Sequence, residues 1–327
     1  MAIPVSRTLF GIIPLYSLLI VIGAALAIWL ASREEKRAGL PKETVLDLSF
    51  WVIPCGIIGA RIYYVAFAWD QFKDNPVSAL YVWEGGIAIY GAVIAGFIVL
   101  LIFCRMRKIS APALCDVIAP GLVLAQAIGR WGNYFNMEAY GEVITDPALQ
   151  FFPFGVLITE SGAPVWHMAT FFYESFWDFL VFLVLIIGRR KWFRKEGDVF
   201  GFYCFLYSAG RLIVEDFRMD SLYAAPSLRI SQLLALILCT VWWLITLREA
   251  GRRNTLPFWL RVLFTVLHSA YALVIALYCF RLPALAVLPL SGRALLLSGY
   301  SLTAIVTLCL LYGRSDPGEV RYAIHAA

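Results

Sequence analysis

The feature that most constrains this chain is a repetition of apolar runs about 20 residues long, each of them enough to cross the hydrocarbon core of a bilayer as an α-helix. Nine can be read, over residues 9–32, 46–67, 87–104, 114–132, 167–188, 199–217, 230–247, 257–280 and 294–312. In lipid, a spanning segment must satisfy its own backbone, which leaves helices and closed barrels. The runs are continuous rather than alternating, which argues against a barrel. Composition agrees: 61% of the 327 residues are hydrophobic and 15% are charged, whereas about a quarter are charged in soluble domains. The expected class is an all-α polytopic membrane protein with about nine transmembrane helices.

Basic residues cluster on alternate loops. Arg33, Lys36 and Arg37 follow the first run, and Arg105, Arg107 and Lys108 follow the third. Arg189, Arg190, Lys191, Arg194 and Lys195 follow the fifth, and Arg248, Arg252 and Arg253 the seventh. The positive-inside rule then predicts the N-terminus outside and the C-terminus inside. The net charge of +5 is concentrated in these loops and does not point to nucleic acid. The first run is too long for a signal core and its basic cluster follows it, so it reads as an uncleaved helix. Residues 134–165 contain no Lys or Arg and predict a small external head or loop between the fourth and fifth helices. The seven cysteines form no C-x-x-C and no metal-ligand spacing, so no metal or cofactor is expected. No internal repeat is visible, which weighs against a transporter.

Polar residues collect at the predicted outer ends of the helices, and charged groups at membrane depth mark a site by default. The densest stretch runs from Gly129 to Gly141 and carries Arg130, Asn133, Asn136 and Glu138 between small glycines. Arg130 and Asn133 share a helix face if the helix persists that far, and a guanidinium fork suits phosphate. The alternative is an arginine paired structurally with Glu138. A second group is Arg211, Glu215 and Arg218, where Arg211 and Glu215 stand at i and i+4 as an ion pair. A third is Glu84-Gly85-Gly86 leading to Tyr90. Arg61 is open between pairing with a carboxylate such as Glu84 and contacting substrate. His167, with Tyr173 and Glu174 behind it, reads as opening the fifth helix from outside. Together these groups predict an outward cavity suited to an anionic lipid headgroup, without a covalent intermediate.

The pattern G-R-x-G-N-x-x-N-x-E-x-x-G at Gly129–Gly141 closely resembles the signature of prolipoprotein diacylglyceryl transferases. Supporting stretches stand in the family's order: Gly59-Ala60-Arg61, Trp83-Glu84-Gly85-Gly86, His167 through Glu174, and Arg211 through Glu215 to Arg218. Tyr16 looks like the family's functional tyrosine of the first helix. The resemblance covers residues 7–250 and implies an enzyme of the bacterial cytoplasmic (inner) membrane whose active site faces outward. Such an enzyme moves the diacylglyceryl group of phosphatidylglycerol onto the lipobox cysteine of a prolipoprotein signal peptide, and glycerol 1-phosphate leaves. It further implies that Arg130 and Arg211 are essential, with Asn133 and Gly141 as further functional positions. Asn136, Glu138, Glu215, Tyr16 and Arg61 complete the expected substrate-binding set.

Two departures stand out. Tyr90 occupies a position where many members carry a histidine proposed as the base, and a phenol, with a reference pKa of about 10, is a poor base near neutral pH. Second, the family core usually stops after seven helices. The chain is therefore read as a seven-helix domain, 1–256, followed by two additional helices and a short cytoplasmic tail, 257–327, with a packing role. Two other readings stay open: an anionic-lipid-binding or transport protein without chemistry, and a relative that lipidates another acceptor.

Overall fold

The computed structural model describes residues 7–160, 163–193, 195–219, 223–225, 228–252, 257–279 and 290–313. Among them are nine helices: α1 (Leu15–Glu35), α2 (Thr44–Phe67), α3 (Ile89–Arg107), α4 (Ala111–Asn136), α5 (Thr170–Lys191), α6 (Asp198–Phe217), α7 (Ile230–Arg252), α8 (Phe258–Cys279) and α9 (Leu290–Gly313). Seven are long and apolar enough to cross a membrane. α6 falls short of that mark because it carries Asp198, Arg211, Glu215 and Asp216. Yet 15 of its 20 residues are buried, so its charges face protein and not lipid. The described residues divide into two compact units, one of residues 28–118, the other of residues 7–27 together with those from 119 to 313.

In the unit of residues 28–118, the charged loop after α1 has a structural task. The buried Glu35 carboxylate accepts from the backbone N–H groups of Glu43 (2.8 Å) and Val45 (3.0 Å). These lie at the start of α2, where N–H groups lack partners within the helix and a negative charge suits the helix dipole. α2 and α3 cross at Gly59 and Gly91: a Cβ on Gly59 would sit 2.8 Å from the Gly91 carbonyl oxygen. Lipid provides no hydrophobic drive between helices, so close backbone approach through small residues holds such a pair together. Arg61 is buried and does not pair with Glu84. It donates to the carbonyls of Ser78 and Ala79 (2.8 Å each), Gly85 (2.5 Å) and Gly86 (2.8 Å). One guanidinium thus satisfies an irregular segment that cannot bond itself. Gly85 and Gly86 have φ of 91° and 68°, in a region where side chains are strained.

In the other unit, two expectations about helix starts are corrected. α1 begins at Leu15, not Leu9, because β1 (Thr8–Leu9) and β2 (Ile13–Pro14) form a short antiparallel hairpin. α5 begins at Thr170, so His167 does not open it. His167 lies in β4 (Ala163–Met168), which pairs with β3 (Gly155–Glu160) in an antiparallel hairpin. The predicted head is therefore a β-structure between α4 and α5. α4 runs on to Asn136, beyond the expected Gly132, and ends where Met137 turns left-handed at φ 55°. β5 (Tyr223–Ala225) and β6 (Leu228–Arg229) precede α7. One buried cluster joins Leu185 of α5, Phe205 and Leu212 of α6, Cys239 and Trp243 of α7, Ile275 of α8 and Leu297 of α9.

The α2–α3 crossing is testable. Gly59→Leu should lower thermal stability in detergent by about 1–3 kcal/mol, a typical overpacking cost. Gly56→Ala should be tolerated, since its Cβ would lie 3.8 Å from its nearest neighbour, the Ala92 oxygen. Equal melting temperatures for the two variants would contradict this account of the crossing.

Candidate functional site

The site is built on α4, α5 and α6. Ser175 of α5 donates to the Ala127 carbonyl of α4 at 2.7 Å, and Trp177 of α5 donates to the Leu206 carbonyl of α6 at 2.8 Å. A Cβ on Gly210 would collide with the Trp177 indole, so glycine lets α5 press against α6 beside Arg211. Next to Arg130, Trp131 packs among Tyr134, Phe171 and Phe172. Both arginines are therefore held by their immediate sequence neighbours.

Between these helices lies the buried carboxylate of Glu174. Arg130 Nη2 reaches its Oε1 at 2.5 Å. Arg211 Nη1 bonds Oε1 at 3.0 Å and Oε2 at 2.8 Å, while its Nη2 pairs with Glu215 at 2.5 Å. Arg218, just past α6, lies 4.0 Å from Glu174 Oε2. Three guanidiniums thus gather around the Glu174 carboxylate, with Glu215 as a second partner of Arg211. An arginine in a membrane protein is costly unless paired, and here the pairing comes from within the protein. A guanidinium has five N–H donors, so Arg130 and Arg211 can hold their carboxylates and still donate to an anion.

Several expected residues gather on these elements. Arg130 and Asn133 share a face of α4, since the helix persists through both. Arg211 and Glu215 form the expected i, i+4 pair. The Tyr16 ring lies on α4, where a Cβ on Gly132 would sit 2.6 Å from its Cδ2. Asn136 is the last residue of α4 and half-buried. Arg130 takes Glu174 as its partner, so the expected alternative of a pair with Glu138 is overturned. Glu138 is exposed in the turn after α4, where its N–H bonds the Asn133 carbonyl at 2.9 Å.

Gly141 is a crossing point of the chain. Its N–H donates to the Met168 carbonyl at 2.8 Å, and its own carbonyl lies 2.9 Å from His167 Nδ1. A Cβ there would come within 2.9 Å of the Phe217 carbonyl oxygen. Arg61, Glu84 and Tyr90 belong to the unit of residues 28–118, where Tyr90 stacks at a tilt 6.3 Å from Tyr63.

Two residues carry more in the fold than the sequence suggests. Glu174 stands in the sequence as a companion of His167, whereas in the fold it is the hub. Asp178, one turn further along α5, is fully buried within electrostatic reach of Glu174, Arg130 and Arg211. Among the described residues, neither of its carboxyl oxygens has a hydrogen-bond partner. The signal for both was two acids, i and i+4, in a run otherwise apolar enough to span.

Residues 4–248 match the family of prolipoprotein diacylglyceryl transferases. A protein of Enterococcus faecalis named phosphatidylglycerol–prolipoprotein diacylglyceryl transferase is 46% identical over 238 residues, 72% of this chain and 86% of its own length. Proteins of the same name from Limosilactobacillus reuteri and Shouchella clausii are 43% and 41% identical. They cover 68% and 72% of this chain, and 82% and 87% of their own lengths. The chain belongs to the prolipoprotein diacylglyceryl transferase family, and it is a multi-pass membrane protein.

Removing the hub should be severe. Glu174→Ala leaves clustered guanidiniums without their counter-ion, a change that costs about 3–5 kcal/mol for a buried pair. Thermal unfolding in detergent should show a large drop in melting temperature, whereas Glu138→Ala should change it little. An unchanged melting temperature in Glu174→Ala would contradict the hub role.

Proposed function

We propose that this chain transfers the diacylglyceryl group of phosphatidylglycerol to the lipobox cysteine thiol of a prolipoprotein signal peptide. The thiolate sulfur attacks the glycerol carbon that carries the phosphate, a C–S bond forms, and the C–O bond breaks. Glycerol 1-phosphate leaves with the bonding electron pair, so a second negative charge develops on its phosphate. The observation that carries this reading is the convergence of Arg130 and Arg211 on Glu174. Guanidiniums preorganised in a dry site stabilise charge as it develops, without the reorganisation that water would need. Arg130 and Arg211 are assigned to the phosphate, and Glu174 and Glu215 keep the two guanidiniums oriented.

Asn133, Asn136 and Tyr16 lie on or against α4 with Arg130, which suits contacts to the headgroup and its glycerol. Gly141 shapes the adjoining wall. Glu138 is exposed and Arg61 is engaged by four backbone carbonyls, so neither is assigned to the headgroup. The family match supports a location in the bacterial cytoplasmic membrane, and the alternate basic loops support an outward-facing cluster.

With phosphatidylglycerol and a lipobox peptide, the purified protein should release glycerol 1-phosphate and lipidate the peptide. Arg130→Ala and Arg211→Ala should each lower turnover by about 100-fold or more, as expected for lost transition-state donors. Full activity in both variants would sink these roles. Lipidation of thiol peptides lacking a lipobox at an equal rate would overturn the assigned acceptor. Tyr90→Phe should leave turnover unchanged, because a phenol is a poor general base near neutral pH. A loss of turnover would instead assign the hydroxyl to proton transfer.

A further inference from the structure

The family match ends at residue 248, before α8 and α9. Side chains from both helices nevertheless reach the end of α6, beside the arginine cluster. Asp216 is buried and directly follows Glu215, the partner of Arg211. Tyr278 of α8 donates to Asp216 Oδ1 at 2.6 Å. Arg293, in the first turn of α9, donates to Asp216 Oδ2 at 3.1 Å and to Glu142 Oε1 at 2.8 Å. Arg229, at the end of β6, lies 3.7 Å from Asp216 Oδ1 and donates to the Glu215 carbonyl.

Glu142 lies in the segment that leads on from α4, the helix of Arg130. Its backbone N–H donates to the Phe217 carbonyl at 3.0 Å, in the last residue of α6. One arginine fork therefore clasps the last turn of α6 and the chain that follows α4. The planar guanidinium can bond two carboxylates in fixed geometry, which the point charge of a lysine cannot reproduce. The helix that supplies Arg293 is itself anchored, since Leu297 and Tyr300 share the buried cluster with Phe205, Leu212 and Trp243.

We infer that Arg293 is a positioning residue for the transfer reaction: from α9, it sets the spacing of Arg211 and Arg130 by tying the end of α6 to the segment after α4. The inference rests on the transfer proposed above. Small displacements of groups that stabilise a transition state reduce turnover strongly even when binding persists.

The experiment compares the full-length wild type with Arg293→Met, Arg293→Lys and Tyr278→Phe, well below their unfolding temperatures. Arg293→Met should lower kcat about 10- to 100-fold, with KM for phosphatidylglycerol little changed. Arg293→Lys should recover only part of the loss, and Tyr278→Phe should show a smaller defect of the same kind. Wild-type kcat in Arg293→Met, with only its melting temperature reduced, overturns the inference. If Arg293→Met does not fold, the other two variants decide, and wild-type kcat in both overturns it. A wild type that releases no glycerol 1-phosphate overturns the transfer reading itself, a distinct result.

Discussion

The structure depends on one buried carboxylate. Arg130 and Arg211 are charges in a chain made for lipid, and neither could stay there alone. Glu174 holds both, at 2.5 Å and 2.8 Å, from a third helix. The same bonds fix where the two guanidiniums point.

The rest of the fold brings three helices close enough for that carboxylate to serve. Hydrophobic burial cannot do this between lipid-facing helices, because lipid is as apolar as leucine. Close contact does it instead, through the Trp177 indole on Gly210 and Tyr16 on Gly132; within the unit of residues 28–118, α2 meets α3 in the same way at Gly59 and Gly91. Irregular backbone is tolerated where a side chain satisfies it. Arg61 does so for four carbonyls in the unit of residues 28–118, and Glu35 does so for the start of α2.

The β3–β4 hairpin and the last two helices share a logic. Each supplies polar groups at the ends of α4 and α6, where chain direction changes and backbone groups need partners. Gly141 and Glu142 knit α4's exit to β4 and to the end of α6. Asp216 gathers Tyr278, Arg229 and Arg293 at the same end of α6. The residues around the arginine cluster thus extend well beyond the stretch that carries the family signature.

By itself, the sequence determined the membrane class and the position of most helices within a few residues. Runs of about 20 apolar residues have few other solutions in lipid. It also determined the Arg211–Glu215 pair and the shared face of Arg130 and Asn133, since i, i+3 and i, i+4 neighbours are set by helix geometry. Only the tertiary structure decided that Arg130 takes Glu174 and not Glu138. Those two acids lie 44 and 8 positions away in the sequence, and helix packing rather than separation sets the distance. It likewise placed His167 in a strand, gave Arg61 to backbone carbonyls and brought Arg293 to Asp216. Local periodicity reports which face a residue occupies, whereas the partner on the opposite face is chosen by how the helices pack.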